Sequence, residues 1–504
     1  MATIEKAKQE MRDKVAAYQR TDDFGRPEIP RQRQRPIFLE GQAGVGKTSI
    51  VQQVAEELDI GYVAYPLTHM TRQNAMGLPQ LGKMRTADGQ EVFVTNNTMP
   101  EVVASVHEAI KAGYRKGILF IDEVNCVSET LSPVMLTLLQ DKKFGGFEIP
   151  DGWVLVTAGN PPGDVNRSAR EFDVVTDDRL AYINVETSYS VWKNYAISRG
   201  VHQSILAFLD RHPNYFYSAH TDTTGTHVIT PRGWEDLSYL IKAAEAMKTA
   251  VDPDMVRTVI HDNRTSAEFA VYYGLWKKYE SEYSVKDILD GKDTKAFADK
   301  ASKAEIDEQY ALTNLLIGEL GKRIRSHMET DDAYTESVSR VPTMRQYMRT
   351  FPQRAFEATR LEASSIKDTI ARRKAGHNLD AITETKLLGA INILEKLDVK
   401  TEQELVDYFS RKGSLYKKIQ DSASKIADQT DNAYVFLQTA FGKDSENIAV
   451  MTAELLENET YGKFFANSPK TGKEFAKALN SFNMAEREKE TEANIDAFLT
   501  DIDA

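Results

Sequence analysis

The chain has 504 residues, of which 41% are hydrophobic and 27% are charged, and its formal net charge is −12. This composition excludes a globally disordered protein, and the negative net charge excludes a nucleic-acid-binding protein that is basic over its whole length. A single cysteine, Cys126, excludes an intrachain disulfide. The polar N-terminus is unlike a signal peptide and no apolar run is long enough to span a membrane, so we expect a cytoplasmic protein without membrane insertion.

The first 187 residues predict alternating strands and helices. An amphipathic helix within 1–20 is followed by a polar linker that contains Gly and Pro breakers. Short apolar runs predict strands at 36–40, 62–66, 117–122, 153–158 and 181–185. Helices are predicted near 49–58 and 99–114, and Asp88-Gly89 predicts a hairpin turn within 83–94. Short apolar strands separated by helices are typical of a parallel sheet with helices on both faces.

From about residue 188 the pattern changes, because strand-like runs stop and helical periods dominate. Apolar faces with helical spacing recur to the C-terminal end of the chain. A polar break rich in Asp and Lys at 287–304 predicts a boundary within this helical region. The sequence shows no fixed-period repeat.

The segment 41–48, with the sequence GQAGVGKT, matches the phosphate-binding loop and lies between a predicted strand and a predicted helix. Glycines let backbone N–H groups turn toward phosphate oxygens, Lys47 adds a positive charge at the β- and γ-phosphates, and Thr48 offers a hydroxyl to Mg²⁺. ATP and Mg²⁺ are therefore the expected ligands. The loop residues expected to bind them are Gly41, Gln42, Ala43, Gly44, Val45, Gly46, Lys47, Thr48 and Ser49.

A second motif ends the predicted strand at 117–122, where Asp122 is followed by Glu123. Open α/β sheets bind ligands at the carboxyl ends of their strands, so Asp122 is expected to hold Mg²⁺ or its water. Glu123 is expected to act as the general base on the attacking water. Asn160 follows the next predicted core strand, and its spacing fits two roles equally: an amide near the γ-phosphate, or a turn asparagine before proline.

The order of these motifs resembles the AAA+ ATPases, and within them the MoxR-like, or dynein-related, group. The matching stretches are FLEGQAGVGKTS, GILFIDEVN, LLQDKKFGGFEIPDGWVLVTAGNPPG, DDRL and ITPRGWEDLS, within about residues 34–285. The resemblance implies that Asn160 is the sensor 1 residue and that Arg179 is an arginine finger for the neighbouring subunit's γ-phosphate. It also implies that Arg232 is the sensor 2 arginine on a helical lid, where it joins the nucleotide-binding residues. The implied catalytic residues are Glu123, Asn160 and Arg179, and the implied metal-binding residues are Thr48 and Asp122.

Two features near these motifs depart from the family pattern. Cys126 follows Asn125 where the group often has an arginine, and we expect it to be a buried, small apolar residue and not a nucleophile. Arg167 and Arg170 precede Arg179 and are alternatives for part of the finger role.

A hairpin is also implied at 142–149, of the kind that lines a central pore or face in this group. Phe144 and Phe147 flank two glycines there. The segment lacks the aromatic–apolar pair that threads polypeptides in unfoldases, so a gripping role stays open.

The expected architecture is a P-loop AAA+ α/β core with a five-stranded parallel sheet and helices on both faces, followed by helical regions. Its expected parts are an N-terminal helix and linker (1–33), the nucleotide-binding core (34–187), an all-α lid (188–285) and an α-helical C-terminal domain of unassigned role (286–504).

The function implied by the resemblance is ATP hydrolysis at the subunit interfaces of a ring, expected to be a homo-hexamer, that remodels or activates a protein partner. In MoxR-like systems that partner is often a protein with a von Willebrand factor A domain. Alternatives are a nucleic-acid translocase or restriction-type motor, the motor subunit of a metal chelatase, and a nucleotide-gated scaffold with little turnover. No basic pore or added DNA-binding module is visible, so nucleic acid is not the expected partner, and Glu123 argues against the scaffold.

Overall fold

The computed structural model describes residues 4–66, 71–127, 131–163, 168–222, 225–376, 378–468, 470 and 472–481. Its chain divides into two units. Unit 1 comprises Met1–Val191, Phe216–Gly233 and Lys367–Glu384, and unit 2 comprises Trp192–Tyr215, Trp234–Ile366 and Thr385–Ala504. None of the helices within the described ranges is both long and apolar enough to cross a lipid bilayer.

Strands and helices alternate in the first part of unit 1. In chain order they are α1 (Ile4–Tyr18), β1 (Ile37–Glu40), α2 (Lys47–Glu57), β2 (Gly61–Pro66), α3 (Arg72–Met76), β3 (Pro79–Arg85), β4 (Glu91–Asn97), α4 (Glu101–Lys111), β5 (Gly117–Asp122), α5 (Ser132–Asp141), β6 (Lys143–Phe144), β7 (Phe147–Glu148), β8 (Trp153–Gly159), α6 (Val174–Asp177) and β9 (Ala181–Asn184). The five strands predicted from apolar runs are β1, β2, β5, β8 and β9, and each lies within one residue of its predicted bounds.

These five strands form one parallel sheet in the order β2-β5-β8-β1-β9, which confirms the predicted core. Successive side chains point to opposite faces, so Phe38 packs with residues of α4 and α5, while Ile37 and Leu39 pack with residues of α1 and α2. Both faces of the sheet are therefore covered. Glu40 at the end of β1 pairs with Gly159 at the end of β8, so the residues that follow the two strands lie at the same edge.

Two hairpins extend from this core. Strands β3 and β4 pair from Pro79 opposite Asn97 to Arg85 opposite Glu91, which confirms the hairpin predicted around Asp88-Gly89. Strands β6 and β7 form the hairpin expected at 142–149. Phe144 of this second hairpin is fully buried in the core of unit 1, so its ring is not available to grip a substrate.

The remainder of the chain is mostly helical, as predicted. Its elements are α7 (Tyr189–Ser198), α8 (Gln203–Arg211), β10 (Ser218–Asp222), β11 (Gly225–Ile229), α9 (Pro231–Met247), α10 (Pro253–Arg257), α11 (Asn263–Glu282), α12 (Val285–Leu289), α13 (Thr294–Ala301), α14 (Ile306–Ser339), α15 (Val341–Thr350), α16 (Ala358–Ala375), α17 (Ala381–Lys396), α18 (Glu402–Phe409), α19 (Ser414–Phe441), α20 (Glu446–Glu457) and α21 (Glu459–Asn467). In unit 2, the long helix α14 packs against α19 and α20.

One antiparallel pair, β10 with β11, interrupts this helical region and was not predicted. Its sequence is mostly polar, without an apolar run or a clear alternation, so hydrophobic periodicity carries no strand signal there. The domain boundaries expected at residues 34, 188 and 286 stay predictions.

A segment from the distant C-terminal part of the chain, Lys367–Glu384, belongs to unit 1. Strand β2 is the edge of the sheet, and its Tyr62 N–H donates a hydrogen bond to the carbonyl of Gly376 (3.1 Å). The side chain of Asn378 donates to the carbonyl of Ile60 (3.1 Å) and accepts from the hydroxyl of Tyr114 (3.1 Å). The segment therefore covers a sheet edge that would otherwise expose unpaired backbone groups.

Candidate active site

The loop between β1 and α2 has the backbone conformation that its glycines were expected to permit. Gly44 and Gly46 have φ angles of +77° and +94°, in the left-handed region where a side chain is disfavoured. A Cβ atom on Gly44 would also lie 2.8 Å from Cβ of Thr230. Helix α2 begins at Lys47 without a side-chain cap, so its first N–H groups and the positive end of its dipole lie at the loop.

Lys47 is held beside the phosphate loop by three hydrogen bonds. Its Nζ donates to the carbonyls of Gly41 (2.7 Å) and Gln42 (2.9 Å) and to Oδ1 of Asn160 (2.9 Å). Burial lowers the pKa of Lys47 to about 8, while the nearby carboxylate of Asp122 opposes that shift. The ammonium therefore remains the major form at pH 7, and it is partly desolvated, which strengthens its attraction for an anion.

The structure also brings the metal-binding candidates together. Thr48 Oγ1 donates to Oδ2 of Asp122 across 3.1 Å, and Asp122 is the last residue of β5. A hydroxyl and a carboxylate are hard oxygen donors of the kind that Mg²⁺ prefers. The residues present therefore fit a magnesium ion beside the phosphate loop.

Glu123 has an unusual backbone conformation for a residue with a side chain. Its φ and ψ angles are +56° and +37°, and its N–H donates to Oδ1 of Asp122 (2.9 Å). Left-handed conformations of non-glycine residues cost free energy and cluster at functional sites. The conformation fits the predicted role of Glu123 as a general base.

Asn160 lies next to Lys47, as one of its two predicted roles requires. The carbonyl of Asn160 also accepts a hydrogen bond from Nδ2 of Asn125 (2.7 Å), and Asn125 is 5% exposed. The carbonyl of Asn125 accepts the N–H of Arg170 (3.0 Å). Asn125 therefore links the segment after β5 to the segment after β8. No role was predicted for Asn125, and its position two residues after Glu123 was the one sequence signal for it.

The two family-implied arginines lie in different surroundings. Arg232 is exposed in the first turn of α9, and its positive charge contributes to the lowered pKa of Lys47. Arg179 follows α6 and is partly buried, and its Nη1 atom has no hydrogen-bond partner in the described part of the chain. No hydrogen bond or ion pair among the described residues joins Arg179 to Lys47 or Glu123. Arg167 lies outside the described residues.

Cys126 is partly buried, and burial raises the pKa of its thiol. A raised thiol pKa disfavours the thiolate that nucleophilic chemistry requires.

Comparison with known proteins adds one match. Residues 36–179 match the family model of the AAA domain of the dynein-related subfamily, which covers less than a third of the chain. The matched segment contains the phosphate loop, Asp122, Glu123 and Asn160, and it ends at Arg179. No curated protein sequence matches the chain significantly.

Proposed function

We propose that this chain, an AAA-domain enzyme that hydrolyses ATP, is a MoxR-like ATPase that uses hydrolysis to remodel or activate a protein partner. The ATP-hydrolysis part of this proposal rests on one observation. Four polar side chains lie close together at one edge of the sheet: Lys47, Thr48, Asp122 and Asn160. The residues proposed to contact ATP are those of the loop 41–49, with Arg232 from the first turn of α9.

Each polar side chain of the site has a proposed task. Lys47 neutralises charge on the transferred phosphate group, and Asn160 orients the lysine and the attacking water. Glu123 accepts the proton of that water as it attacks. Mg²⁺, when held by Thr48 and Asp122, would supply positive charge to phosphate oxygens.

A protein partner is favoured by the hairpin of β3 and β4. Leu81 is 81% exposed and Phe93 is 72% exposed, so the hairpin presents large apolar side chains to solvent. Exposed apolar surface of this kind is typical of protein–protein contacts, whereas nucleic-acid contacts are polar and basic. The net charge of −12 supports the same choice.

We further propose that Arg179 acts on the ATP of a neighbouring copy in a ring, taken to be a homo-hexamer. The position of Arg179 at the end of the segment that matches the AAA domain of the dynein-related subfamily supports this role. A finger supplied across an interface makes hydrolysis depend on assembly, because the transition-state charge is stabilised only when two subunits meet. A partner with a von Willebrand factor A domain is the first candidate for the remodelled protein.

The experiment compares Glu123→Gln with Lys47→Ala. We expect Glu123→Gln to bind ATP but to turn it over about 10²–10⁴-fold more slowly, since it loses only the general base. We expect Lys47→Ala to bind ATP weakly. Glu123→Gln held in ATP and Mg²⁺ should then retain a protein partner that Lys47→Ala does not retain.

The captured protein must also change its protease sensitivity when the parental enzyme and ATP are added, and stay unchanged with Glu123→Gln. Parental turnover by Glu123→Gln would refute the base assignment. Recovery of nuclease-sensitive DNA or RNA would replace the remodelling proposal with a translocase, and recovery of a macrocycle-handling subunit would replace it with a chelatase.

A further inference from the structure

A cavity of about 610 Å³ lies in unit 2 between α12, α14 and α19, and it belongs to no part of the ATP site. Five of its fourteen lining residues are Lys or Arg, whereas Lys and Arg account for 63 of the 504 residues in the chain. These cationic residues are Lys286, Lys322, Arg323, Lys418 and Lys425. In a protein with an acidic net charge, such a concentration of positive charge is unusual.

The lining contains little acid to balance these cations. Among the described residues of the lining, Asp290 is the one carboxylate. It accepts a hydrogen bond from Gln429 (2.7 Å) and lies 3.5 Å from Arg323 Nη1. Lys286, Lys418 and Lys425 form no ion pair with any residue in the described ranges. Glu319, which is not part of the lining, pairs with Arg323 (3.2 Å) and lies 3.9 Å from Lys322. The three lysines that remain without an ion pair repel one another, and a bound anion removes that repulsion.

A partly buried histidine also lines the cavity. Nδ1 of His327, which lines the same cavity, is buried and has no hydrogen-bond partner among the described residues. Burial lowers the pKa of His327, so its ring is neutral at pH 7.

The lining also limits the class of anion. Its described residues include no Phe, Tyr or Trp, so they offer no surface on which nucleobases stack, as single-stranded nucleic acid requires. Its apolar residues are Leu415, Ile419 and Ile426. The volume lies within the range of sites for small molecules. A small ligand with clustered negative charge therefore fits better than a polymer.

We propose that this cavity binds a compact polyanion, a free or organic di- or triphosphate, at a site separate from the phosphate loop. Lys286, Lys418 and Lys425, which form no ion pair in the described ranges, hold the phosphate oxygens, and Lys322 and Arg323 add positive charge that they share with Glu319. Serine and threonine hydroxyls in the lining, from Ser326, Thr330 and Ser422, complete the polar contacts.

The test uses the full chain with Lys47→Ala in every protein, so that binding at the phosphate loop is suppressed. Inorganic tripolyphosphate is titrated calorimetrically at constant ionic strength and without Mg²⁺. Lys418→Gln with Lys425→Gln should weaken binding about tenfold, as expected for two lost ion contacts. Lys412→Gln with Lys417→Gln removes the same charge from exposed neighbouring positions that do not line the cavity, and it should leave the affinity unchanged.

Titration of ATP in the same proteins distinguishes the source of the phosphate, because tighter binding of ATP than of tripolyphosphate indicates a nucleotide. Equal affinities in the cavity variant and the control variant would overturn the proposal. A single-stranded oligonucleotide that binds more tightly than tripolyphosphate and depends on Lys418 and Lys425 would also overturn it. All these lysines are exposed, so loss of folding is not expected to obscure the result.

Discussion

Replacing Asn378 with Ala should destabilise the packing of the segment Lys367–Glu384 on the edge strand β2, which lies far from this segment in sequence. Asn378 is 1% exposed, and its side chain makes two hydrogen bonds, to Ile60 and Tyr114. Each such bond contributes about 1 kcal/mol, and leaving the buried Ile60 carbonyl and Tyr114 hydroxyl without partners adds to the loss. The total is about 2–4 kcal/mol of local stability.

Hydrogen exchange of the Tyr62 amide measures this loss directly, because that amide donates to the carbonyl of Gly376 in the same segment. Since 1.4 kcal/mol corresponds to a factor of ten, exchange around residues 60–64 should accelerate about 30- to 1,000-fold if it proceeds by local opening. Asn458→Ala is the matched control, because Asn458 is 3% exposed and hydrogen-bonded within unit 2. Unchanged protection of residues 60–64 in a folded Asn378→Ala protein would refute the reasoning.

Three further predictions concern unit 1. Arg179→Ala alone and Lys47→Ala alone should each hydrolyse ATP poorly, and a mixture should regain activity; a mixture no more active than its components would exclude a finger in trans. Gly44→Ala should weaken ATP binding far more than Gly89→Ala. Both glycines have a positive φ, but of the two only Gly44 has a neighbour within 4 Å of an added Cβ atom. Equal effects of the two substitutions in a binding assay would contradict this. Burial and the neighbouring Asp380 carboxyl raise the pKa of Glu56 to about 7. The carboxyl is therefore harder to ionise in the folded protein than in the unfolded chain, and the free energy of unfolding decreases as the pH rises from about 4.5 through 7. Glu56→Gln should therefore raise the melting temperature more at pH 8 than at pH 5, and a larger gain at pH 5 would contradict the sign.

The strands, the phosphate loop and the Asp-Glu motif were predictable because each of them depends on local sequence. A buried strand needs a short apolar run, a phosphate loop needs glycines at positions that adopt left-handed backbone, and a strand end needs a polar residue at the ligand edge. These requirements placed the five strands within one residue and identified Lys47, Thr48 and Asp122. The parallel sheet then followed, because helices between short buried strands leave few other arrangements.

Spatial neighbours between distant segments could not be predicted in the same way. Asn160 had two equally acceptable roles until the pairing of β1 with β8 placed its amide 2.9 Å from Lys47. The sequence left a gripping role for the hairpin of Phe144 open, but packing buries Phe144 in the core. The strand pair β10 and β11 carries too few apolar residues for periodicity to reveal it.

The sequence by itself determined the nucleotide chemistry, because the phosphate loop and the Asp-Glu strand are contiguous motifs whose residue types specify what they bind. Only the tertiary structure decided that Lys367–Glu384 covers the sheet edge and that lysines from three helices converge on one cavity. Both depend on contacts between residues far apart in the chain. The free energy of such contacts comes from packing and hydrogen bonding in three dimensions, and no local pattern encodes it.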